Sequence, residues 1–170
     1  ARGYADPKRV AIAGGSYGGY ATLASLAFRP GEYACGVALS APSDLNLLLD
    51  TIPPYWTVMR GQLEARMGKE PDFLRGISPA QHAERINAPV LLVHNANDVR
   101  VSRAHADRMA AALKAQGKEV AYLLIGNAGH AGGVTGANRL MRYAAIEAFL
   151  ARHLGGRAEP PTESERWDSL

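Results

Sequence analysis

Residues 9–20 read Arg9-Val10-Ala11-Ile12-Ala13-Gly14-Gly15-Ser16-Tyr17-Gly18-Gly19-Tyr20, and the order of residue types along them decides the fold. Residues 9–13 are short, apolar and followed by glycines, the pattern of a buried strand entering a tight turn. Residues 17–28 have the Ala and Leu content of a helix, stopped by Arg29-Pro30-Gly31. Between the two, Gly14-Gly15-Ser16-Tyr17-Gly18 has the form Gly-x-Ser-x-Gly, in which a serine sits on a strained strand-to-helix turn and small neighbours let the backbone close around it. Such a turn exposes the Ser16 hydroxyl. It also sets the Tyr17 amide, at the start of the helix, to donate to the oxyanion formed when a carbonyl is attacked. A glycine-rich bend without reactivity and a phosphate-cradling loop share this local composition, although the lysine that such loops use is lacking.

A serine hydroxyl is a poor nucleophile without a base, so a reactive Ser16 requires a histidine and an acid, each at the C-terminal end of a later strand. Residues 89–94, Pro-Val-Leu-Leu-Val-His, form the clearest later strand, and Asp98 follows it by a short loop. Residues 119–125 form another, followed by Asn127-Ala128-Gly129-His130. Asp98 is then the orienting acid and His130 the base. Taken singly, Asp98 also reads as a turn cap and His130 as a solvated loop histidine. Only their conjunction with Ser16, in this order, favours chemistry. His82, His94, His105 and His153 read as structural, and no His-x-x-x-His or paired-cysteine spacing predicts a metal. No cofactor is expected.

Further along, residues 35–40 are a second strand candidate. Residues 41–87, interrupted by Pro42, Pro53, Pro54, Pro71 and Pro79, read as a cap or pocket-forming excursion with short helical pieces. Ser102 is placed to cap a helix over 103–116, and residues 138–154 form an amphipathic helix closed by Gly155-Gly156. Strands alternating with helices predict a mainly parallel sheet flanked by helices, an α/β fold. Residues 1–156 are read as the domain and 157–170 as a flexible tail.

With 47% hydrophobic and 21% charged residues in a chain of 170, the composition suits one globular core and excludes disorder as the main state. The net charge of +3 is spread along the chain rather than clustered, which argues against a nucleic-acid surface. No apolar run approaches the ~20 residues that a bilayer span requires, so no membrane partner is expected. The single cysteine, Cys35, lies in an apolar run and is read as buried and inert. The sequence begins at Ala1 rather than at an initiator Met, so cytoplasmic placement is a default expectation only.

These residues carry a resemblance. Gly14-Gly15-Ser16-Tyr17-Gly18-Gly19-Tyr20, Ser78-Pro79, Asn97-Asp98-Val99-Arg100-Val101, Gly129-His130 and the close from Phe149-Leu150 to Leu154-Gly155-Gly156 resemble the catalytic domain of the prolyl oligopeptidase family of serine peptidases, its acylaminoacyl-peptidase-like branch above all. The resemblance implies the C-terminal half of an α/β-hydrolase fold, the triad Ser16, Asp98 and His130, and Tyr17 as oxyanion donor. It also implies substrate contacts: Arg100, with Val99 beside it, on a substrate carbonyl, and Tyr55 and Trp56 in the pocket before the cleaved bond. From composition alone Arg100 is equally a solvated surface arginine, and the two aromatics are equally core or cap packing.

The resemblance has departures. Relatives usually carry Gly where this chain has Asn95, and often an acidic residue where it has Ala128; neither change is expected to abolish the chemistry. The glycine-rich segment 131–136 is expected to leave His130 mobile. The chain starts one strand before the serine, so the strands that precede it in relatives are expected to be missing, together with a second oxyanion donor worth ~10²–10³ in rate. A bare strand edge is then expected, covered by a second copy or by a complementing fragment. The expected substrate is a peptide or a small acyl ester, hydrolysed through an acyl-enzyme on Ser16. The competing readings are an esterase only, and a weakened fragment that mainly associates.

Overall fold

In the computed structural model, which describes residues 3, 5–130, 136–160 and 162, four strands form one parallel sheet in the order β1 (Ala11–Gly15), β2 (Cys35–Leu39), β3 (Val90–Asn95), β4 (Val120–Ile125). The helices are α1 (Tyr17–Phe28), α2 (Leu45–Thr51), α3 (Thr57–Met67), α4 (Pro71–Gly76), α5 (Ala104–Ala115) and α6 (Gly136–Leu154), with 3-10 turns at Pro7–Arg9 and Pro79–Arg85. The expected α/β architecture is the observed one. The helix over 17–28 has the predicted bounds, while β1 begins and ends two residues later than residues 9–13.

Successive strand residues face opposite sides of a sheet, and here both sides are apolar because both are covered. Ala38, Val90 and Leu92 pack against Leu23, Met109 and Leu113 of α1 and α5. Val37, Leu91, Val93 and Leu123 pack with Ala145 and Phe149 of α6 on the other face. Cys35 is fully buried in that second layer. Arg9, just ahead of β1, donates to the carbonyls of Leu154 and Gly155, satisfying acceptors that the end of α6 leaves open. The outer side of β1 carries no strand among the described residues.

Residues 41–87 form a third apolar cluster, Leu45, Leu48, Leu49, Ile52 and Leu74, standing over the C-terminal end of the sheet. The prolines there begin elements rather than only breaking them: Pro71 opens α4 and Pro79 opens a 3-10 turn. Ser78, fully buried, donates to the Leu74 carbonyl at 2.6 Å and accepts from the Leu45 amide at 2.8 Å, stitching α4 to α2. Asp44 caps α2 through the Leu47 amide and is gripped by Arg108 at 2.6 Å and by Gln81. The segment 131–135 and most of the tail lie outside the described residues, so the expectations of mobility there are not addressed by the fold.

His105 anchors the excursion to α5. Its Nδ1 accepts the Ser43 amide at 3.2 Å, and its carbonyl accepts the Ser43 hydroxyl at 2.7 Å. The ring is fully buried and Nε2 has no partner among the described residues, so it is the neutral form that fits. Burial is the main cause that pushes its pKa from 6.5 down to about 4. The unfolded chain therefore takes up a proton between those values that the folded chain refuses, so stability is full above pH 6.5 and falls toward pH 4. Urea unfolding at pH 7 and pH 4.5 is expected to differ by about 2–3 kcal/mol from this group alone, and His105→Gln is expected to remove that share of the difference.

Candidate active site

At the junction of β1 and α1, Ser16 has φ 56° and ψ −120°, a conformation that costs a non-glycine residue on the order of 1–3 kcal/mol. Its amide donates to the Leu39 carbonyl of β2 at 2.8 Å, and its carbonyl accepts from Tyr20 at 3.0 Å, so sheet and helix both hold it. The reversal brings the backbone of Gly18 against Gly14, where a Cβ would run into the Gly18 carbonyl. A Cβ on Gly19 would come within 2.6 Å of the Ala41 side chain. At Gly18 itself a Cβ would meet nothing within 4 Å. The close approach therefore rests on Gly14 and Gly19, not on every glycine of the motif.

Asp98 lies in the turn after β3, with its side chain wholly buried. One carboxylate oxygen, Oδ1, accepts the amides of Arg100 and Val101, each at 2.9 Å. The other, Oδ2, accepts from Nδ1 of His130 at 2.7 Å. His130 Nε2 stands 2.9 Å from the Ser16 hydroxyl oxygen, from which it is placed to accept. Three side chains from three loops at the C-terminal end of the sheet thus form one chain of hydrogen bonds. Tyr17 is the first residue of α1, and the helix offers its amide no internal acceptor; its side chain is exposed.

His94, read from sequence as structural, is 1% exposed and donates from Nε2 to the Val101 carbonyl at 2.9 Å, closing the Asp98 turn from below. That nitrogen is 3.8 Å from Asp98 Oδ2. Burial, the largest influence, pushes the His94 pKa down, so a neutral ring leaves the Asp98 charge to His130. The sequence carries the residue but not its partner, since nothing along the chain points from His94 to Val101.

Ser16 and His130 open on a cavity of about 890 Å³ beneath the excursion, within the range of small-ligand sites. Its wall is mostly apolar, including Leu48, Ile52, Leu63, Met67 and Phe73, and no carboxylate lines it among the described residues. Tyr20 closes one side by donating to the Ile77 carbonyl at 3.0 Å. Trp56 and Arg100 both line the cavity, with the guanidinium 5.4 Å from the indole ring centre. Tyr55 and Val99 do not: both are largely exposed outside the lining, and Tyr55 packs edge-on against Trp56 at 6.3 Å between ring centres. The Arg100 and Val101 amides both donate to Asp98 Oδ1, and in that bend Val99 stays exposed while Arg100 lines the cavity. The residue order marks 41–87 as a pocket-forming excursion but does not single out the apolar side chains of α2 to α4 that line the cavity. Among the described residues no group of three or more His, Cys, Asp or Glu converges to hold a metal.

Residues 1–157 match the model of the prolyl oligopeptidase family. The chain belongs to that family. It is 44% identical over 164 residues to dipeptidyl aminopeptidase BIII of Pseudoxanthomonas mexicana, a match covering 94% of this chain and 24% of that protein. In structure it is similar to a puromycin-hydrolyzing peptidase of Mycobacterium tuberculosis, with a TM-score of 0.85 and 30% identity over 93% of this chain and 24% of that one. It is also similar to an acylaminoacyl peptidase solved with Z-Gly-Gly-Phe-chloromethyl ketone, with a TM-score of 0.80, 26% identity and 95% and 26% of the two chains covered. The chain therefore spans about a quarter of the length of these family members. Among the described residues no helix is long and apolar enough to cross a membrane.

The turn geometry makes a contrast that substitution can read. Gly14→Ala forces a methyl into the Gly18 carbonyl and is expected to destabilise the fold by about 2–4 kcal/mol in thermal or urea unfolding. Gly18→Ala, with open space and a helical position, is expected to be neutral or to stabilise by up to about 1 kcal/mol.

Proposed function

We propose that this chain carries the nucleophile, base and acid of a serine hydrolase that cleaves peptide or ester bonds through an acyl-enzyme. What carries the reading is the continuous hydrogen-bonded line Ser16–His130–Asp98, with 2.9 Å and 2.7 Å between its members. In the first step the Ser16 oxygen bonds to the substrate carbonyl carbon while His130 Nε2 takes the hydroxyl proton. The resulting oxyanion is met by the Tyr17 amide. Collapse breaks the bond to the leaving amine or alcohol, which receives the proton from His130, and Ser16 is left acylated. Water then attacks with His130 again taking its proton, and the acid product departs with Ser16 restored. Asp98 holds the ring and balances the imidazolium that forms twice per turnover.

The cavity beside Ser16 suits an apolar acyl portion, and Arg100, stacked on Trp56, offers donors to a carbonyl at its mouth. Release of dipeptides, which the name of the Pseudoxanthomonas relative states of that enzyme, requires recognition of a free amine. The described lining is mostly apolar and supplies no carboxylate of its own, and its apolar side chains favour burial of an apolar acyl portion. Residues 1–156 are proposed to act as one catalytic unit, with 157–170 outside it.

Turnover of para-nitrophenyl esters tests the reading. Ser16→Ala is expected to abolish it, and Asp98→Asn to lower kcat by about 10³-fold or more through loss of ring orientation. With the unaltered chain, kcat/KM is expected to rise from acetate to hexanoate as methylenes enter the cavity, each contributing up to about 0.8 kcal/mol. Equal turnover by Ser16→Ala would refute the assignment, and a flat or falling ester series would refute the apolar acyl site.

A further inference from the structure

Asn95 ends β3 and is buried, with 4% of its surface exposed. Its main-chain carbonyl accepts from the Asp98 amide at 3.1 Å, closing the turn that bears the acid. Its side-chain Nδ2 donates across to the carbonyl of Gly129 at 2.9 Å and reaches that of His130 at 3.3 Å, in the loop that bears the base. Two carbonyl oxygens on the same side allow the amide only one orientation, because the flipped oxygen would face two acceptors. In that orientation Oδ1 is buried without a partner among the described residues. A buried polar atom left unpaired is unfavourable, and a smaller apolar residue would not incur it.

The compensation lies in what the amide holds. The segment before His130 is fixed as far as Ala128, whose carbonyl accepts from Asn97 at 3.2 Å. The next two carbonyls are the ones that Asn95 takes. A rotation of the main chain there would carry the imidazole off the line between Asp98 and Ser16, since its Cα sits between the Gly129 and His130 carbonyls. We infer that Asn95 is a positioning residue that locks the His130 loop to the Asp98 turn and so fixes the imidazole between acid and hydroxyl. The inference rests on the roles proposed above for Ser16, Asp98 and His130. One residue serves both loops: its main chain holds the acid and its side chain holds the base.

Asn95→Ala and Asn95→Leu test this in the full 170-residue chain, the second filling the space of the amide without its donors. Each is compared with the unaltered chain by circular dichroism, by the low-field proton resonance of His130 Nδ1–H shared with Asp98, and by kcat and KM on a para-nitrophenyl ester. The expected result is that both variants fold, that both lose or broaden the resonance, and that kcat falls ~10–100-fold while KM moves by less than about twofold. Retention of resonance and kcat in both variants would overturn the inference. So would recovery in Asn95→Leu of what Asn95→Ala loses, which would assign the effect to volume, or failure of both to fold, which would make the residue structural only. A resonance missing from the unaltered chain at low temperature would equally overturn it. The resonance is read without substrate, so a chain that shows it but turns over no ester contradicts the proposed function and leaves the Asn95 clamp to be decided by the variants' spectra.

Discussion

The molecule turns on the contact between the Gly14 and Gly18 backbones. A strand running into a helix with so little room between them must reverse within one residue, and that residue, Ser16, takes a backbone conformation that only strong restraint on both sides sustains. The restraints are the Leu39 carbonyl in the neighbouring strand and the first turn of α1. The same reversal lifts the hydroxyl clear of the sheet and leaves the Tyr17 amide beside it without a helical partner. The strain at Ser16 and the reactivity proposed for it therefore share one origin, the absence of side-chain volume at Gly14.

Around that fixed point the parallel sheet does the rest. Parallel strands deliver their C-terminal ends to one edge, so the turn after β3 and the loop after β4 arrive beside the β1–α1 junction although Ser16 and His130 are 114 residues apart. Asp98 is buried, yet its carboxylate is hydrogen-bonded at both oxygens, by two amides and by an imidazole. A charge so surrounded is held where it can act on the ring above it. His94 beneath, neutral because it is buried, shapes the turn without competing for that charge. The excursion between β2 and β3 builds the other half of the site, an apolar chamber whose stitching through Ser78, Asp44 and His105 is polar and buried.

Much of this is legible in the residue order. Glycines bracketing a serine between an apolar run and an Ala-rich run predict the turn, and the later strands put Asp98 and His130 at the proper edge. The bounds of β1 were less legible: glycines read as turn, yet Gly14 and Gly15 pair with Ala38 and Leu39 and prolong the ladder, because pairing in a sheet needs backbone rather than side chains. Tyr55 and Val99, which the family resemblance sets at the pocket beside Trp56 and Arg100, lie in a turn and a bend and stay exposed while those neighbours line the cavity. What no local pattern reveals is a partner far along the chain. Asn95 finds carbonyls 34 and 35 residues away, and His105 finds Ser43 at a separation of 62; both look like ordinary core positions until the chain is folded.

Ser16 is proposed as the one activated hydroxyl of this chain. Incubation with a fluorophosphonate, followed by intact-mass and peptide mass spectrometry, measures it directly. One phosphonyl group per chain is expected, carried on the peptide containing Ser16 and absent when His130 is replaced by Ala. Labelling at another residue, or an unmodified Ser16 in folded protein, would contradict it.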